Sequence, residues 1–172
     1  MIDPDIDCCT TGTQIDLASK EDLAAIAAIH AACFSRQCRS EEWISCHMAA
    51  APLKRVFTAH TNGHIIGYAI WGEKSGFRSQ AVIELEQIAV LPAYQGRGVA
   101  SDLIGQSRDA VLRAIAERGA SVRAVVVTTR ADNNAQRLYR RTLGAEIVAT
   151  IPRLFGEADE IVMLKELPHY TI

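Results

Sequence analysis

The 172-residue chain lacks several features that would restrict its function at once. It contains no apolar run long enough to cross a bilayer, so no membrane-spanning helix is predicted. No charge predominates, because 18 Lys and Arg residues and 20 Asp and Glu residues leave a formal net charge of −2. A polyanion is held by a basic surface, so we do not expect nucleic acid as a partner. Residues 1–5 are acidic and lack the basic and apolar stretches of a secretory signal, which favours a cytoplasmic protein.

Cysteine is absent from the chain after position 46. The five cysteines are Cys8, Cys9, Cys33, Cys38 and Cys46. An odd number of cysteines in an unsecreted protein argues against a disulfide framework, so reduced thiols are expected. Cys33, Cys38 and Cys46 could form a set of four metal ligands with His47. Their spacing, however, matches none of the paired patterns that hold zinc. We therefore predict no metal site.

Hydrophobic periodicity divides the chain into strands and helices in mixed order. Strands are predicted at 13–17, 54–59, 64–71, 80–90, 124–128, 146–151 and 161–165. Helices are predicted from Ser19 to His30 and over 40–50, 98–118 and 133–142. This order predicts an α/β layer with a mixed sheet in its middle, formed by a single domain over residues 1–172. Residues 1–12 and 168–172 are expected to be loose ends.

The most informative segment, residues 88–101, leads from a strand through a glycine-bearing turn into the longest helix. The backbone N–H groups of residues 96–101 lie at the helix start, where no preceding turn accepts their hydrogen bonds. Their dipoles point at one place, which is typical of a pyrophosphate site. The glycine spacing does not match a dinucleotide-binding fingerprint, and no Gly-Lys-Ser/Thr sequence follows. A turn that only joins strand to helix stays the alternative.

Residues 95–100, QGRGVA, resemble the acetyl-CoA motif of the GNAT acetyltransferase superfamily, Gln/Arg-x-x-Gly-x-Gly/Ala. Residues 88–92 are similar to the preceding strand end of that family, and residues 14–22, 135–139 and 143–145 resemble its first and last blocks. The resemblance implies a mixed, mostly antiparallel sheet of about seven strands flanked by about four helices. It also implies transfer of acetyl from acetyl-CoA to a primary amine, on a small molecule or at a protein N-terminus.

The resemblance further assigns the contacts with acetyl-CoA. The implied contacts are Ile88, Ala89, Val90, Gln95, Gly96, Arg97, Gly98, Val99, Ala100 and Ser101. Ala89 and Val90 would pair their backbone with the pantetheine arm, in a slot opened where the strands before and after the long helix splay apart. The family has an Asn seven residues before its helix tyrosine, where this chain has Asp132, so Asn133 or Asn134 is expected to contact pantetheine.

Acetyl transfer to a protonated amine requires a base. Glu84 and Glu86 lie two residues apart on a predicted strand, so their side chains share one face, about 7 Å apart. Repulsion would favour the protonated form of one of them if both are enclosed. Position 84 is similar to the base position of some family members, so Glu84 is the first candidate for the general base. The alternative is that one or both carboxylates merely face water and have no catalytic role. Tyr139 is similar to the helix tyrosine that protonates the leaving thiolate, with core packing as its alternative role.

Acceptor specificity in this family resides in the first two helices and in the strands that face the thioester. The resemblance therefore implies Phe34, Arg36, Trp43 and Trp71 as substrate-binding residues. Residues 30–34 with Trp43 resemble the start of ribosomal-protein alanine acetyltransferases. A catalytically idle acyl-CoA-binding module stays open as an alternative, although the presence of both Glu84 and Tyr139 favours an enzyme. A homodimer is also compatible with the family.

Overall fold

The structure, a computed structural model, describes residues 12–168. The strands are β1 (Gln14–Leu17), β2 (Lys54–Thr61), β3 (His64–Lys74), β4 (Gln80–Val90), β5 (Ser121–Arg130), β6 (Glu146–Ile151) and β7 (Glu160–Glu166). The helices are α1 (Leu23–Cys33), α2 (Ser40–Ala49), α3 (Val99–Glu117) and α4 (Gln136–Leu143), with short 3-10 turns at Lys20–Asp22 and Pro92–Tyr94. The predicted mixed α/β architecture is confirmed. Most of the predicted loose ends, with Cys8 and Cys9, lie outside the described residues.

All seven strands form one sheet in the order β1-β2-β3-β4-β5-β7-β6. Neighbouring strands are antiparallel except β4 and β5, which are parallel because α3 connects them as a crossover helix. The pairing of β4 with β5 ends at Glu84 opposite Val126, although the two strands continue to Val90 and Arg130. The strands therefore separate towards their carboxyl ends and leave an open slot in the middle of the sheet.

Two apolar clusters cover the opposite faces of this sheet. The α3 cluster includes Leu103, Ile104 and Trp71, and the α1–α2 cluster includes Tyr68 and Ile70. Residues 68–71 of β3 alternate between the clusters because side chains of a strand point to opposite faces. This burial on both faces explains the nearly continuous apolar sequence of the strand. In the described part of the chain, no helix has the length and apolar character to span a bilayer.

The observed elements differ from the predicted ones mainly at their ends. β3 continues three residues beyond the predicted end at 71, because Glu73 is buried in an ion pair with Arg118. α4 begins three residues later than predicted. The cause is Asn133, whose Oδ1 accepts a hydrogen bond from the Ala135 N–H at 2.9 Å and so forms a turn before the helix.

Candidate active site

The turn between β4 and α3 has the conformation of an anion-binding helix start. Gly96 and Gly98 have φ angles of 74° and 88°, and a Cβ at either position would meet no atom within 4 Å. Glycine is therefore required here for the left-handed backbone and not for space. The predicted set of unpaired N–H groups needs one correction, since the Ser101 N–H donates to the Gly98 carbonyl at 2.8 Å. Within residues 12–168, the N–H groups of residues 96–100 have no backbone partner.

Side chains around this turn fix its position and add positive charge. Gln95 Nε2 donates to the Val90 carbonyl at 2.8 Å, which ties the turn to the end of β4. The Arg97 guanidinium lies 5.7 Å from the centre of the Tyr94 ring. Arg141 on α4 donates to Ser101 Oγ at 3.0 Å and so brings a second guanidinium to the helix start. Arg141 was not predicted from the sequence, because only the packing of α4 on α3 places it there.

The predicted pantetheine-binding residues line one side of the open slot. Ile88, Ala89 and Val90 pair with residues 67–69 of β3, and β5 does not pair with them on the other side. Their β5-facing edge is thus available to a ligand that adds to the sheet as a strand would. Asn133 also donates through Nδ2 to Thr129 Oγ1 at 2.9 Å, so both ends of its amide are used within the turn. Asn134 is exposed.

Glu84 lies at the point where the slot begins. It is the last β4 residue that pairs with β5, and it belongs to a row of residues with Gly72 of β3 and Lys54 of β2. Its Oε1 accepts a hydrogen bond from Thr128 Oγ1 at 3.0 Å. Its Oε2 pairs with Lys74 Nζ at 2.7 Å, and its side chain is 12% exposed. The carboxylate is therefore held from both neighbouring strands.

Glu86 lies in a β-bulge of β4, where the register with β3 shifts. Its carboxylate leans over Gly72, where a Cβ would lie 2.5 Å from Glu86 Oε1 and 2.7 Å from Lys54 Nζ. Oε1 is paired with Lys54, and Oε2 lies 3.8 Å from His47 Nδ1 on α2. Both candidate carboxylates are on one face, as predicted. Each has its own lysine, so the repulsion expected between Glu84 and Glu86 is offset.

Tyr139 is buried in the α3 cluster, with 6% of its surface exposed. Burial raises the pKa of its phenol to about 12. The hydroxyl is therefore protonated at neutral pH and can act as a proton donor. Its helix, α4, packs on α3 and β5, the two elements that follow the slot along the chain.

Three of the four predicted substrate-binding residues surround the α1–α2 connection. The Phe34 ring packs 5.2 Å from the His30 ring, and Arg36 is exposed. Trp43 is 46% exposed, and the centre of its ring lies 4.5 Å from the centre of the His47 ring in a T-shaped contact.

The prediction that Trp71 binds the substrate is wrong. Its side chain is 1% exposed within the α3 cluster, and its Nε1 donates to Ser107 Oγ at 2.7 Å. The alternation along β3 turns it away from the face that carries Tyr68 and Ile70.

A polar network that the sequence analysis missed ties the α1–α2 connection to β4. Tyr68 donates to Gln87 Oε1 at 2.7 Å, and Gln87 Nε2 lies 3.5 Å from Gln37 Oε1. The buried His30 contacts Gln37 Oε1 through Nε2 at 2.8 Å and Ser40 Oγ through Nδ1 at 2.9 Å. Since an amide oxygen only accepts, Nε2 carries the proton of the neutral ring. The connection is thereby held beside the slot.

Comparison with known proteins places this fold among the acetyltransferases. The profile of the acetyltransferase (GNAT) family matches residues 23–145, which is more than half of the chain. The chain therefore belongs to the GNAT acetyltransferase family. No curated protein matches it at a significant level. Within the described residues, no group of three or more His, Cys, Asp and Glu side chains could hold a metal ion.

Solved structures of acetyltransferases superpose on nearly the whole chain. yncA, a putative acetyltransferase from Salmonella typhimurium with its cofactor acetyl-CoA, is 25% identical, with a TM-score of 0.67 over 93% of this chain and 96% of that chain. A ribosomal-protein-alanine N-acetyltransferase from Brucella melitensis is 24% identical, with a TM-score of 0.66 over 90% and 99% of the two chains. NAA60 from Arabidopsis thaliana in complex with acetyl-CoA is 18% identical, with a TM-score of 0.73 over 91% and 99%.

Proposed function

We propose that this protein is an N-acetyltransferase that moves the acetyl group of acetyl-CoA to a primary amine. The observation that carries the proposal is the arrangement along β4, with a turn of unpaired N–H groups beyond its end and two carboxylates beside its bulge. The slot between β4 and β5 joins these two places. A donor with phosphates at one end and a thioester at the other fits this spacing.

In the proposed complex the pyrophosphate binds the N–H groups of Gly96, Gly98 and Val99, with Arg97 and Arg141 as charged partners. The pantetheine arm lies along Ile88, Ala89 and Val90. Asn134 supplies the side-chain contact with it, because the amide of Asn133 is used within its own turn.

The amine attacks the thioester directly in a ternary complex. A group on the acceptor face takes one proton from the ammonium, for which Glu84 is the first candidate and Glu86 the second. A backbone N–H near Val90 stabilises the oxyanion. The C–S bond breaks, and Tyr139 protonates the thiolate of CoA. Burial keeps that phenol protonated, which supports the role of Tyr139 as acid.

The acceptor is a small amine or the α-amine of a peptide or protein. Phe34, Arg36 and Trp43 border the place where it would enter, beside the α1–α2 connection. A relative named as a ribosomal-protein-alanine N-acetyltransferase supports an α-amine as one class to test.

The test is calorimetric titration with acetyl-CoA, followed by thiol-release assays over amines and short peptides. We expect wild-type turnover, and a kcat at least 100-fold lower in Glu84→Gln if Glu84 is the base. Glu146→Gln is the matched control, because Glu146 pairs with Arg140 on the surface and belongs to β6 at the sheet edge. Binding of acetyl-CoA without turnover on any amine would favour the idle binding module. Absence of acetyl-CoA binding would refute the proposal.

A further inference from the structure

His47 and Glu86 form a carboxylate–imidazole pair between α2 and β4. Their side chains are 11% and 17% exposed, and Nδ1 of the ring lies 3.8 Å from Oε2 of the carboxylate. Lys54 holds the other oxygen, and the bare backbone of Gly72 leaves room for both. His47 Nδ1 is buried and has no hydrogen-bond partner among residues 12–168. A small rotation of either side chain would bring it into hydrogen-bond distance of Oε2.

The surroundings determine which nitrogen of His47 carries the proton. A carboxylate oxygen, Glu86 Oε2, lies 3.8 Å from Nδ1 and only accepts hydrogen bonds, which favours Nδ1 as the protonated nitrogen of the neutral ring. The lone pair is then on Nε2. Of the two ring nitrogens, only Nδ1 is both buried and unpaired among residues 12–168. The donor of His47 is thus on the Glu86 side of the ring, and its basic nitrogen is on the other side.

The ionisation state of His47 suits a base at neutral pH. Burial lowers the pKa of the imidazole. Glu86 opposes that shift, whereas Lys54 on β2 and His30 on α1 add to it. The ring is therefore neutral at pH 7 and able to accept a proton. Trp43, one turn earlier on α2, packs its ring edge against the imidazole and limits its rotation.

We propose that His47 is the base that deprotonates the acceptor amine and that Glu86 is its positioning residue. The proposal rests on the function proposed above and gives Glu86 a role through His47. Glu86 follows the last β4–β5 pair by two residues, so the pair lies at the closed end of the slot. Ala89 is three residues further along β4, about 10 Å away.

The proton balance of this step is complete. His47 Nε2 takes one proton from the ammonium, and the lone pair so exposed forms the N–C bond with the thioester carbon. The C–S bond breaks, its electron pair stays on sulfur, and Tyr139 gives that sulfur a proton. The resulting phenolate takes a second proton from the new amide nitrogen. The imidazolium releases its proton to solvent, so each turnover yields one acetylated amine, one CoA thiol and one proton.

The test compares His47→Ala, His47→Gln and Glu86→Gln with His60→Gln. His60 is a matched control because its Nε2 lies 3.9 Å from Asp16 on the β1–β2 side of the sheet. We expect kcat/KM for the amine to fall about 100-fold or more in both His47 variants, with acetyl-CoA affinity unchanged. Glu86→Gln should lose about tenfold, and His60→Gln should retain full activity.

Two further readouts separate catalysis from a structural role. The acid limb of the kcat/KM profile should disappear in His47→Gln, and added imidazole should restore part of the activity of His47→Ala. Nitrogen NMR of histidine-labelled protein should show the Nδ1–H tautomer of His47, with a changed tautomer ratio in Glu86→Gln. Full activity of His47→Gln, or an Nε2–H tautomer in wild type, would overturn the inference. Loss of activity in Glu84→Gln alone would overturn the role of His47 and leave the acetyltransferase proposal intact. Absence of acetyl-CoA binding would instead refute the acetyltransferase proposal.

Discussion

The two ends of the slot are built in different ways. At the proposed cofactor end, the candidate binding groups are consecutive backbone N–H groups of one turn, set by two glycines with positive φ. At the acceptor end, the groups are side chains from α2, β2, β3, β4 and β5, paired as Lys54 with Glu86 and Lys74 with Glu84. A backbone site tolerates many changes of side chain, whereas a site of paired charges depends on each partner. The cofactor end is therefore suited to a constant ligand and the acceptor end to a variable one.

The two ends of the slot also differ in their electrostatics. Within residues 12–168, neither Arg97 nor Arg141 at the helix start forms an ion pair with a carboxylate, which suits phosphate. At the acceptor end each carboxylate is balanced by a lysine, so an incoming ammonium meets little net charge.

Of the four variants that test this comparison, Tyr139→Phe is expected to have the largest effect, since it keeps the buried ring and removes the hydroxyl. We expect kcat to fall about 100-fold, with little change in acetyl-CoA affinity, because only protonation of the leaving thiolate is lost. Since the pKa of the phenol is raised to about 12, wild type should not lose this donor at neutral or mildly alkaline pH. Steady-state assays across pH provide the measurement. Tyr94→Phe, which keeps the ring beside Arg97, is the control and should stay fully active.

Trp71→Phe tests whether this tryptophan belongs to the core or to the acceptor site. We expect the free energy of unfolding to fall by about 2 kcal/mol, because buried volume and the bond to Ser107 are lost. The acceptor KM should not change. Chemical denaturation and steady-state kinetics measure the two effects. Trp43→Phe is the matched variant, and it should change the KM with little loss of stability; a changed KM in Trp71→Phe would contradict the assignment.

Gly98→Ala should weaken acetyl-CoA binding about tenfold, which corresponds to about 1.4 kcal/mol. The cause is the left-handed backbone at φ 88°, which an alanine adopts only with strain, so the N–H groups would turn away from the phosphates. Calorimetry gives the dissociation constant. Gly105→Ala is the control, because Gly105 lies within α3 in open space, and there alanine should raise stability by about 0.5–1 kcal/mol. Equal affinity in Gly98→Ala and wild type would argue against the turn as the phosphate site.

The smallest effect is expected from Arg141→Ala, with acetyl-CoA affinity reduced about threefold at low salt and less at high salt. Arg141 is exposed, so water and ions screen its charge. Arg140→Ala on the same helix removes an equal charge that pairs with Glu146. Titrations at two salt concentrations should show a salt-dependent loss for Arg141→Ala only. The same loss in both variants would indicate a general charge effect.

Much of the fold was predictable because its signals are local. Asn62-Gly63, between the predicted strands 54–59 and 64–71, is a local hairpin signal, and both residues have positive φ, as a tight hairpin turn requires. The long apolar stripe predicted α3 to within one residue at each end. The position of Trp71 was not predictable in the same way. β3 is apolar on both faces, so its sequence does not say which residues face which cluster.

Within the site, the carboxylates were found from their spacing on a strand, but their partners were not. Lys54, Lys74 and Thr128 reach Glu84 and Glu86 from other strands, and His47 comes from a helix near in space to Glu86 but 39 positions earlier in the chain. The bulge that carries Glu86 also has no marker in the sequence, since it depends on the register of β3 against β4.

The sequence by itself determined the order of the elements, the glycine turn and the residue types that acetyl transfer requires, because each depends on neighbours within a few positions. The tertiary structure decided which residues meet across the sheet. It separated β4 from β5 beyond Glu84, placed Arg141 at the start of α3, and turned Trp71 into the core. Those outcomes depend on strand register and layer packing, which join parts of the chain that have no local relation.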